Sequence, residues 1–178
     1  MVAAGLIGLT GTASLSQGVP ENQQAAIFYK VLAYDYNLQS KSGNEVTIAV
    51  ITDSKTDGRQ KALLDGFNKL KGRRLGGKRI KVIAVKLSGG ALPSDAAASD
   101  ILYLPEGADE KTVDVVLSFA KQEKHATLGG SEFLAAKGCA IGITVEAGKP
   151  KVVINLPASL AQGMNLSSKV LRLAKVLQ

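Results

Sequence analysis

Two glycine turns and one aspartate hold the residue types that most often bind an anion or a small ligand. Ser88-Gly89-Gly90 and Gly129-Gly130-Ser131 each follow an apolar run, and Asp53 follows the run VTIAVIT. Backbone N–H groups at helix starts hold anions, and ligands of α/β sheets lie at the carboxyl ends of strands. Neither turn matches a dinucleotide fingerprint or a P-loop, and ordinary turns with Ser131 as a helix cap explain the same residues without a ligand. The sequence therefore predicts only a weak ligand or anion site, at Asp53, Ser88, Gly89, Gly129, Gly130 and Ser131.

Catalytic chemistry has little support in this sequence. Asp53 and Asp57 have the spacing of paired carboxylates, but roles in a turn and a helix cap suffice for them. His125 has no Gly-x-Ser-x-Gly nucleophile to activate, and Cys139 lies in the apolar run GCAIGI, where burial disfavours a thiolate. A single cysteine and a single histidine provide neither an internal disulfide nor a zinc-type ligand set. We therefore expect no enzyme activity, no cofactor and no metal site.

The net charge of +7 comes from one segment of the chain. Eight lysines and arginines and no acidic residue lie from Lys69 to Lys86, which leaves the rest of the chain close to neutral. The favoured interpretation is a solvated helix end and strand edge. Among the functional alternatives, which are binding of phosphates, of an anionic membrane surface or of an acidic partner protein, the acidic partner leads. Nucleic acid is not the expected partner, since the segment has no aromatic residue to stack on bases, which weakens the case for binding single strands. The candidate contact residues are Lys71, Arg73, Arg74, Lys78 and Arg79.

Length and composition indicate one globular domain preceded by a leader. The chain has 178 residues, of which 46% are apolar and 21% charged, so it is large enough for one core and too apolar for a disordered tail. Residues 2–9 are apolar, and Gly11 and Ala13 have the spacing of a signal-peptidase site, although a charged start is missing. We expect residues 1–18 to be a leader, cleaved near Ala13 on export; a small-residue leader of a cytoplasmic protein is the alternative. No apolar run reaches the roughly 18 residues that a membrane span needs.

Residues 20–178 are predicted to form a single α/β domain. Strand patterns occupy residues 46–52, 79–85, 101–104 and 126–128, and helical patterns occupy 20–36, 58–71, a stretch capped by Asp109, and 131–138. Residues 139–145 and 152–156 then read as a β-hairpin. This order predicts a mixed sheet of five to six strands with helices packed on its faces, followed by a C-terminal hairpin and a terminal helix.

The terminal helix is predicted from its apolar spacing. Val170, Leu173, Ala174 and Leu177 recur on one helical face, and Ser167 stands where a cap is needed. We therefore expect this helix to dock on the sheet and to bury Leu173, which would contribute about 2 kcal/mol.

The last third of the chain also carries the pattern of a known family. This pattern consists of Gly138 with the apolar strand after it, the strand end Ile154-Asn155-Leu156, Gly163 and the run Ser167-Ser168-Lys169-Val170-Leu171, with weaker similarity at residues 23–30. On these residues the chain resembles the YfiR family of exported bacterial regulators. The family-pattern residues that we assign structural roles are Asn155, Gly163, Ser167 and Ser168. Asn155 is expected to be a buried amide that bonds the backbone of a neighbouring loop, and the serine pair is expected to cap a helix.

The resemblance implies a non-catalytic regulator located in the periplasm. The best-known family member forms a dimer and restrains a membrane-bound diguanylate cyclase by binding the periplasmic domain of that enzyme. By resemblance, the expected partner is the periplasmic domain of a membrane-bound signalling protein, and a homodimer is expected too. The paired cysteines of that member are absent here, which excludes control through an internal disulfide, and residues 34–37 lack the Trp-Pro ending of the family's first helix.

Two other functions stay open on the sequence. One is a small-solute-binding periplasmic module that uses the strand-end crevice near Asp53, Gly89 and Gly129. The other is a cytoplasmic nucleic-acid binder that uses the basic segment between Lys69 and Lys86.

Overall fold

The computed structural model of the chain describes residues 18–178. The expected cleavage near Ala13 and residues 1–17 of the predicted leader lie outside the described residues. The helices are α1 (Glu21–Leu32), α2 (Tyr36–Ser40), α3 (Gln60–Asn68), α4 (Ser94–Ala97), α5 (Glu110–Glu123), α6 (Glu132–Lys137), α7 (Leu156–Ala161) and α8 (Ser168–Leu173). The strands are β1 (Glu45–Thr52), β2 (Arg74–Leu75), β3 (Lys78–Lys86), β4 (Ile101–Leu104), β5 (Ala126–Gly129), β6 (Ile141–Glu146), β7 (Lys149–Asn155) and β8 (Lys175–Leu177). Over residues 18–178, no helix is long and apolar enough to cross a membrane.

All eight strands belong to one mixed sheet with the order β2-β3-β1-β4-β5-β6-β7-β8. Strands β3, β1, β4, β5 and β6 run parallel, β2 and β7 run antiparallel to their neighbours β3 and β6, and β8 is parallel to β7. The predicted α/β class and mixed sheet are confirmed. The predicted count of five to six strands is wrong, because the two short strands β2 and β8 extend the sheet at its two edges.

Alternating side chains of the central strands bury two separate apolar layers. In β1, Ile48 and Val50 face the layer under α1 and α3, whereas Ala49 and Ile51 face the layer under α5 and α6. This is the period of two expected of a strand that is covered on both faces, and each fully buried aliphatic side chain contributes about 1.5–3 kcal/mol. Gly66 lets α3 approach α1 closely, because a Cβ at this position would lie 2.9 Å from a backbone oxygen of α1.

The first helix ends earlier than the sequence predicts. In place of one helix over residues 20–36, α1 ends at Leu32 and α2 begins at Tyr36. Asp35 makes this break, because its buried carboxylate accepts hydrogen bonds from the backbone N–H of Asn37 at 3.1 Å and of Asn165 at 2.9 Å. An aspartate side chain competes with helical hydrogen bonding in this way. The chain therefore turns at Asp35 and begins a new, capped helix.

The predicted C-terminal helix is wrong beyond Leu173. The helix α8 ends at that residue, and Lys175–Leu177 form β8, which pairs in parallel with β7. Ala174 ends the helix with an extended backbone (φ −91°, ψ 162°), because the open edge of β7 offers hydrogen-bond partners to the residues that follow. Leu173 is consequently 67% exposed instead of buried, while Val170 is buried as expected.

Ser167 does not cap α8 through its side chain as predicted. It occupies the N-cap position, but its buried Oγ has no hydrogen-bond partner among the described residues. Its backbone N–H donates to the carbonyl of Tyr34 at 3.0 Å, which ties the start of α8 to the turn between α1 and α2. Ser168, the second member of the pair, is exposed as the first residue of α8.

The predicted hairpin near the end of the chain is confirmed. Strands β6 and β7 pair antiparallel, with Ile141 opposite Ile154 and Glu146 opposite Lys149. The turn is tighter than the five-residue connection that the sequence indicates, because only Ala147 and Gly148 link the strands. Both have positive φ, 49° and 74°, which is the backbone of the two-residue turn that matches the twist of a hairpin.

Candidate functional site

Three of the six residues predicted as a ligand site come together at the carboxyl ends of β1 and β3. Asp53, Ser88 and Gly89 line one open cleft of about 530 Å³, which the start of α5 closes on its far side through Lys111 and Thr112. Strand-end loops meet there because β1 and β3 are parallel neighbours, so their carboxyl ends share one edge of the sheet. The cleft is the place in the described fold that best matches the predicted ligand site.

The carboxylate of Asp53 is already saturated by its own chain. Its Oδ1 accepts the backbone N–H groups of Lys55 and Thr56 and the hydroxyl of Thr56, all at 2.9–3.0 Å, and its Oδ2 accepts the N–H of Asp109 at 2.6 Å. Burial would raise the pKa of Asp53, but the hydrogen bonds from Asp109, Thr56, Thr112 and Lys55 outweigh it and hold the pKa below its ordinary value. Asp53 therefore acts as an anionic clamp between two loops.

Two ion pairs neutralise much of the charge at the rim of the cleft. Lys86 lies 2.5 Å from a carboxylate oxygen of Asp57, and Lys55 lies 2.7 Å from one of Asp109. The hydrogen bond to Asp109 raises the pKa of Lys55, and the same contact lowers the pKa of Asp109. Lys111 lines the cleft without an ion pair to any residue from 18 to 178. An incoming anion would thus meet Lys111 and backbone groups, and no cluster of unpaired cations.

A second crevice, between the carboxyl ends of β1 and β4, is closed by protein side chains. This is the point where the strand order reverses, since β3 and β4 flank β1 on opposite sides, and it is the usual ligand position of such sheets. Arg59 spans it by pairing with Glu21 and by donating to the carbonyl of Glu106 at 2.7 Å. The open cleft is therefore on the β3 side of β1.

The other three predicted ligand residues, Gly129, Gly130 and Ser131, do not line the cleft. A Cβ on Gly129 would stand 2.6 Å from the Cβ of Leu134, and one on Gly130 would stand 2.8 Å from the backbone nitrogen of Glu106. Both glycines therefore allow close packing at the carboxyl end of β5. Ser131 takes the cap position of α6, where its Oγ faces the N–H of Leu134 at 3.4 Å, as its alternative interpretation predicted.

A buried polar pair that the sequence does not reveal lies beneath the same edge of the sheet. The hydroxyl of Tyr103 donates to Oε1 of Gln24 at 2.7 Å, and Nε2 of Gln24 donates to the carbonyl of Val19 at 2.7 Å. The ring of Tyr103 packs against Phe28 and Phe67, with ring centroids 6.0 Å and 4.7 Å away. Burial raises the pKa of Tyr103 far above its ordinary value, so the phenol stays protonated. One sequence feature could have indicated this buried pair: Tyr103 is the single aromatic residue in the otherwise aliphatic strand ILYL.

The predicted basic contact residues separate into one buried and four surface cations. Lys78 is buried, and its ammonium donates to the carbonyls of Leu38, at 3.3 Å, and Gln39. Lys78 therefore fastens α2 to β3 and is not available to a partner, which corrects its place among the contact residues. The remaining four are exposed: Lys71, Arg73, Arg74 and Arg79.

The four surface cations meet few acidic groups. Arg79 lies 3.4 Å from the carboxylate of Glu45, and Arg73 stands over the ring of Tyr29 with 5.4 Å to its centroid. Lys71 and Arg74 form no ion pair with residues 18–178, and Arg74 donates to a backbone carbonyl of its own turn. The segment keeps most of its positive charge at the surface.

The family-pattern residues Asn155 and Gly163 hold loops together. Nδ2 of Asn155 donates to the carbonyl of Ala135 at 2.8 Å, and its Oδ1 accepts the N–H of Ala158 at 3.0 Å, so one amide caps α7 and joins it to α6. Gly163 has a φ of 77°, and its carbonyl accepts a hydrogen bond from the side chain of Asn37 at 2.9 Å. Asn155 is half-buried and not fully buried as predicted, although it does bond the backbone of neighbouring segments. Both residues have structural contacts that account for their presence.

The groups that could have been nucleophiles or bases are occupied or buried. Burial raises the pKa of the Cys139 thiol to about 12, against a smaller opposite effect of a hydrogen bond with Thr127. Nδ1 of His125 lies 2.6 Å from the carbonyl of Ser99, and its ring packs on Phe119. Within residues 18–178, no three His, Cys, Asp or Glu side chains converge as metal ligands do.

The sequence of this domain matches a known protein family. A family model described as YfiR/HmsC-like matches residues 21–175, which run from the start of α1 to the first residue of β8. The chain belongs to the YfiR/HmsC-like family. The resemblance seen in the sequence is thereby confirmed over residues 21–175. No curated protein matches this YfiR/HmsC-like chain.

Solved structures with the same fold include proteins that bind solutes. A conserved domain protein from Vibrio cholerae matches 89% of the YfiR/HmsC-like chain with 15% identity and a TM-score of 0.61. A ligand-free, open substrate-binding protein with adhesive properties from Clostridium difficile matches 90% of it with 12% identity and a TM-score of 0.60. A domain from Streptococcus pneumoniae in complex with L-Trp matches 89% with 12% identity and a TM-score of 0.57. The chain spans only 60–62% of the length of these three structures, and identities this low show a shared fold alone.

Proposed function

We propose that this YfiR/HmsC-like chain is a non-catalytic periplasmic regulator that binds the periplasmic domain of a membrane signalling protein and inhibits a diguanylate cyclase. The observation that carries the proposal is the family match over residues 21–175, because it runs from the start of α1 through α8 to the first residue of β8. The family supports a periplasmic regulator; the cyclase and the direct contact with it are our inference.

The chemistry of the described residues supports a binding role. The Cys139 thiol is buried with a raised pKa, and the carboxylate of Asp53 is saturated by four hydrogen bonds. By contrast, the surface presents features that suit contact with another protein. Phe133, Leu160 and Leu173 are each more than 60% exposed, and most cations of the basic segment form no ion pair with residues 18–178. Exposed apolar side chains and charged patches are typical of interfaces.

The proposal is tested by deleting the gene for this protein in its native host. Deletion of its gene should raise the cellular level of cyclic di-GMP, and the full chain supplied in trans should restore the original level. When the full chain with a C-terminal affinity tag is used as bait, it should recover a membrane protein with a cyclase domain from detergent extracts of the same host. Unchanged cyclic di-GMP together with recovery of no cyclase would reject this function.

Location and association are tested separately. Cell fractionation should find the protein in the periplasm, and mass spectrometry should find a chain that begins near Ser14 if cleavage follows Ala13. An intact chain in the cytosol would contradict export. A homodimer is part of the proposal, and light scattering coupled to gel filtration should give twice the mass of one chain.

A small-solute-binding module is the second candidate, favoured by one specific observation. The cleft of about 530 Å³ lies at strand ends in a fold shared with substrate-binding proteins, and its volume lies in the range of small-molecule sites. A bound solute at 100 times its Kd would stabilise the fold by about 2.7 kcal/mol. We would screen amino acids and organic acids by thermal shift, using Gly89→Leu, which fills the cleft, as the matched variant. Absence of any shift, or an equal shift in the variant, would reject this candidate.

A further inference from the structure

Strand β3 forms the edge of the sheet over most of its length. On its inner side it pairs with β1 from Arg79 to Lys86. On its outer side the two-residue strand β2 pairs only with Lys78 and Arg79. Among the described residues, nothing else pairs with the outer side of β3, so this outer edge is open beyond Ile80.

The direction of the backbone groups along β3 follows from three hydrogen bonds. The N–H of Arg79 donates inward to Asn44 at 2.8 Å, and the N–H of Leu87 donates inward to Thr52 at 2.7 Å. The N–H of Ile80 donates outward, to the carbonyl just before β2, at 3.2 Å. Since a strand alternates the direction of its backbone groups residue by residue, odd-numbered residues face β1 and even-numbered residues face out.

Val82, Ala84 and Lys86 therefore present along the outer edge N–H and C=O groups with which no strand of residues 18–178 pairs. Ala84 is exposed, and its small side chain leaves the edge accessible. Three outward residues at alternate positions are the spacing that an added strand needs. An open edge of this kind is a ready template for another extended chain.

The exposed side chains around this edge are mostly positively charged, which determines the kind of chain that could pair with it. Arg79 and Lys81 are exposed on one face of β3, where the crossover to β4 provides only the four-residue helix α4 and leaves these side chains uncovered. Lys86 is exposed at the far end of the strand. Near these cations the described residues provide two carboxylates, those of Glu45 and Asp57. Lys81 has no ion pair with residues 18–178.

We propose that the outer edge of β3 is a docking surface that takes an acidic, extended segment of a partner protein as an added strand. A carboxylate of that segment would face Lys81, with Arg79 on the same face just beyond the end of the added strand, and the segment's backbone would pair with Val82, Ala84 and Lys86. A second copy of this chain is disfavoured as the occupant, because its own β3 edge would bring like charges together. The proposal deepens the function given above and rests on it for the identity of the partner, whereas the pairing itself can be measured without that partner.

The test uses a synthetic peptide and amide hydrogen exchange of the full chain. The probe is a peptide of about twelve residues with alternating Thr and Glu, long enough to cover a typical strand. In the free chain the amides of Val82, Ala84 and Lys86 should exchange fast, and the inward amides of Ile83 and Val85 slowly. Saturating peptide should slow the three outward amides by about tenfold or more and leave the inward amides unchanged.

Two variants and one matched control separate strand pairing from simple charge attraction. Ala84→Pro removes one outward N–H without touching the ladder to β1, so the chain should fold and bind the peptide about tenfold more weakly or worse. Ala84→Thr keeps the N–H and should bind as the unmodified chain does. Arg79→Glu with Lys81→Glu should likewise weaken binding by about tenfold or more.

Several results would overturn the proposal. Outward amides that are already protected in the free chain would mean that another segment or another copy covers the edge. Peptide binding without protection of Val82, Ala84 and Lys86 would show charge attraction alone, as would equal binding by Ala84→Pro and Ala84→Thr. Equal protection by a peptide with Lys in place of Glu would remove the acidic requirement. None of these results affects the cyclic di-GMP test of the proposed function, so the two ideas fail independently.

Discussion

The carboxylate of Asp53 should be one of the most sensitive single groups in the fold. It is 3% exposed and joins the loop after β1 to the start of α5 through the 2.6 Å hydrogen bond from Asp109. In Asp53→Asn the new amide can keep its oxygen toward Thr56, which places its NH2 group against the N–H of Asp109. Two donors then face each other and the charge that attracted four donors is lost.

The expected cost follows from those contacts. A hydrogen bond to a charged group contributes about 1.5–3 kcal/mol, and a buried donor left without a partner costs a similar amount. We expect Asp53→Asn to lower the free energy of unfolding by about 2–3 kcal/mol at neutral pH. For a chain of this size that is a fall in Tm of about 4–12 °C. Asp65→Asn is the control, because Asp65 pairs with Lys61 on the exposed side of α3, where a pair contributes well under 1 kcal/mol.

The pH dependence of this difference gives a second measurement. The folded protein holds the pKa of Asp53 below its ordinary value, so the stabilisation is present in full above the unfolded pKa of about 4. It is lost as the pH falls through the lower folded pKa, where the folded carboxylate takes up its proton. Urea unfolding from pH 7 downward should therefore show the gap between Asp53→Asn and the unmodified chain narrowing in acid. Equal stability at pH 7, or a gap that widens as the pH falls, would refute the reasoning.

Three further predictions concern packing. Leu173→Ala should change the free energy of unfolding by less than about 0.5 kcal/mol in urea titration, because Leu173 is 67% exposed. A loss above about 2 kcal/mol would instead support a terminal helix that buries Leu173 against the sheet. Cys139 should react with a thiol reagent at pH 8 only as fast as the chain unfolds, because burial raises its pKa to about 12; rapid labelling of the folded protein would contradict this. Gly130→Ala should lower Tm by several degrees, because the new Cβ would lie 2.8 Å from a backbone nitrogen, whereas Gly89→Ala meets nothing within 4 Å and should be neutral; equal Tm values for the two variants would show that the packing at Gly130 can yield.

Strong local patterns explain which parts of the fold could be predicted. The run VTIAVIT has a β-branched composition and strand length, and it forms β1 at the centre of the sheet. The hairpin of β6 and β7 follows from two apolar runs around a turn containing Gly148. In both cases the local preference and the tertiary packing agree, so the sequence pattern was sufficient.

The sequence patterns do not predict the elements whose conformation depends on tertiary contacts. The strand β2 has two residues and no pattern of its own, and β8 has three residues whose spacing fits a helix equally well. Val176 and Leu177 become a strand because the edge of β7 is open beside them. Asp35 ends α1 through a contact with Asn165, 130 residues away, which no local window contains.

Only half of the predicted site residues lie together, for a similar reason, and their binding of a ligand stays a prediction. The strand-end rule correctly brings Asp53, Ser88 and Gly89 to one cleft. It fails for Gly129 and Gly130, because a sequence does not tell whether a glycine borders open space or stands against another backbone. Lys78 was misassigned on the same grounds, since only the position of α2 shows that its ammonium is buried.

The hydrogen bond between Tyr103 and Gln24 provides an optical probe of the helix–sheet interface. The chain has four tyrosines and no tryptophan, so its near-ultraviolet spectrum has no indole band to mask phenol signals. The Tyr103 phenol ionises with difficulty while α1 covers it, and its phenolate absorbance should therefore emerge in alkaline solution only when α1 separates from β4. A rapid jump to high pH would then time that separation in the unmodified protein, without a label or an introduced residue.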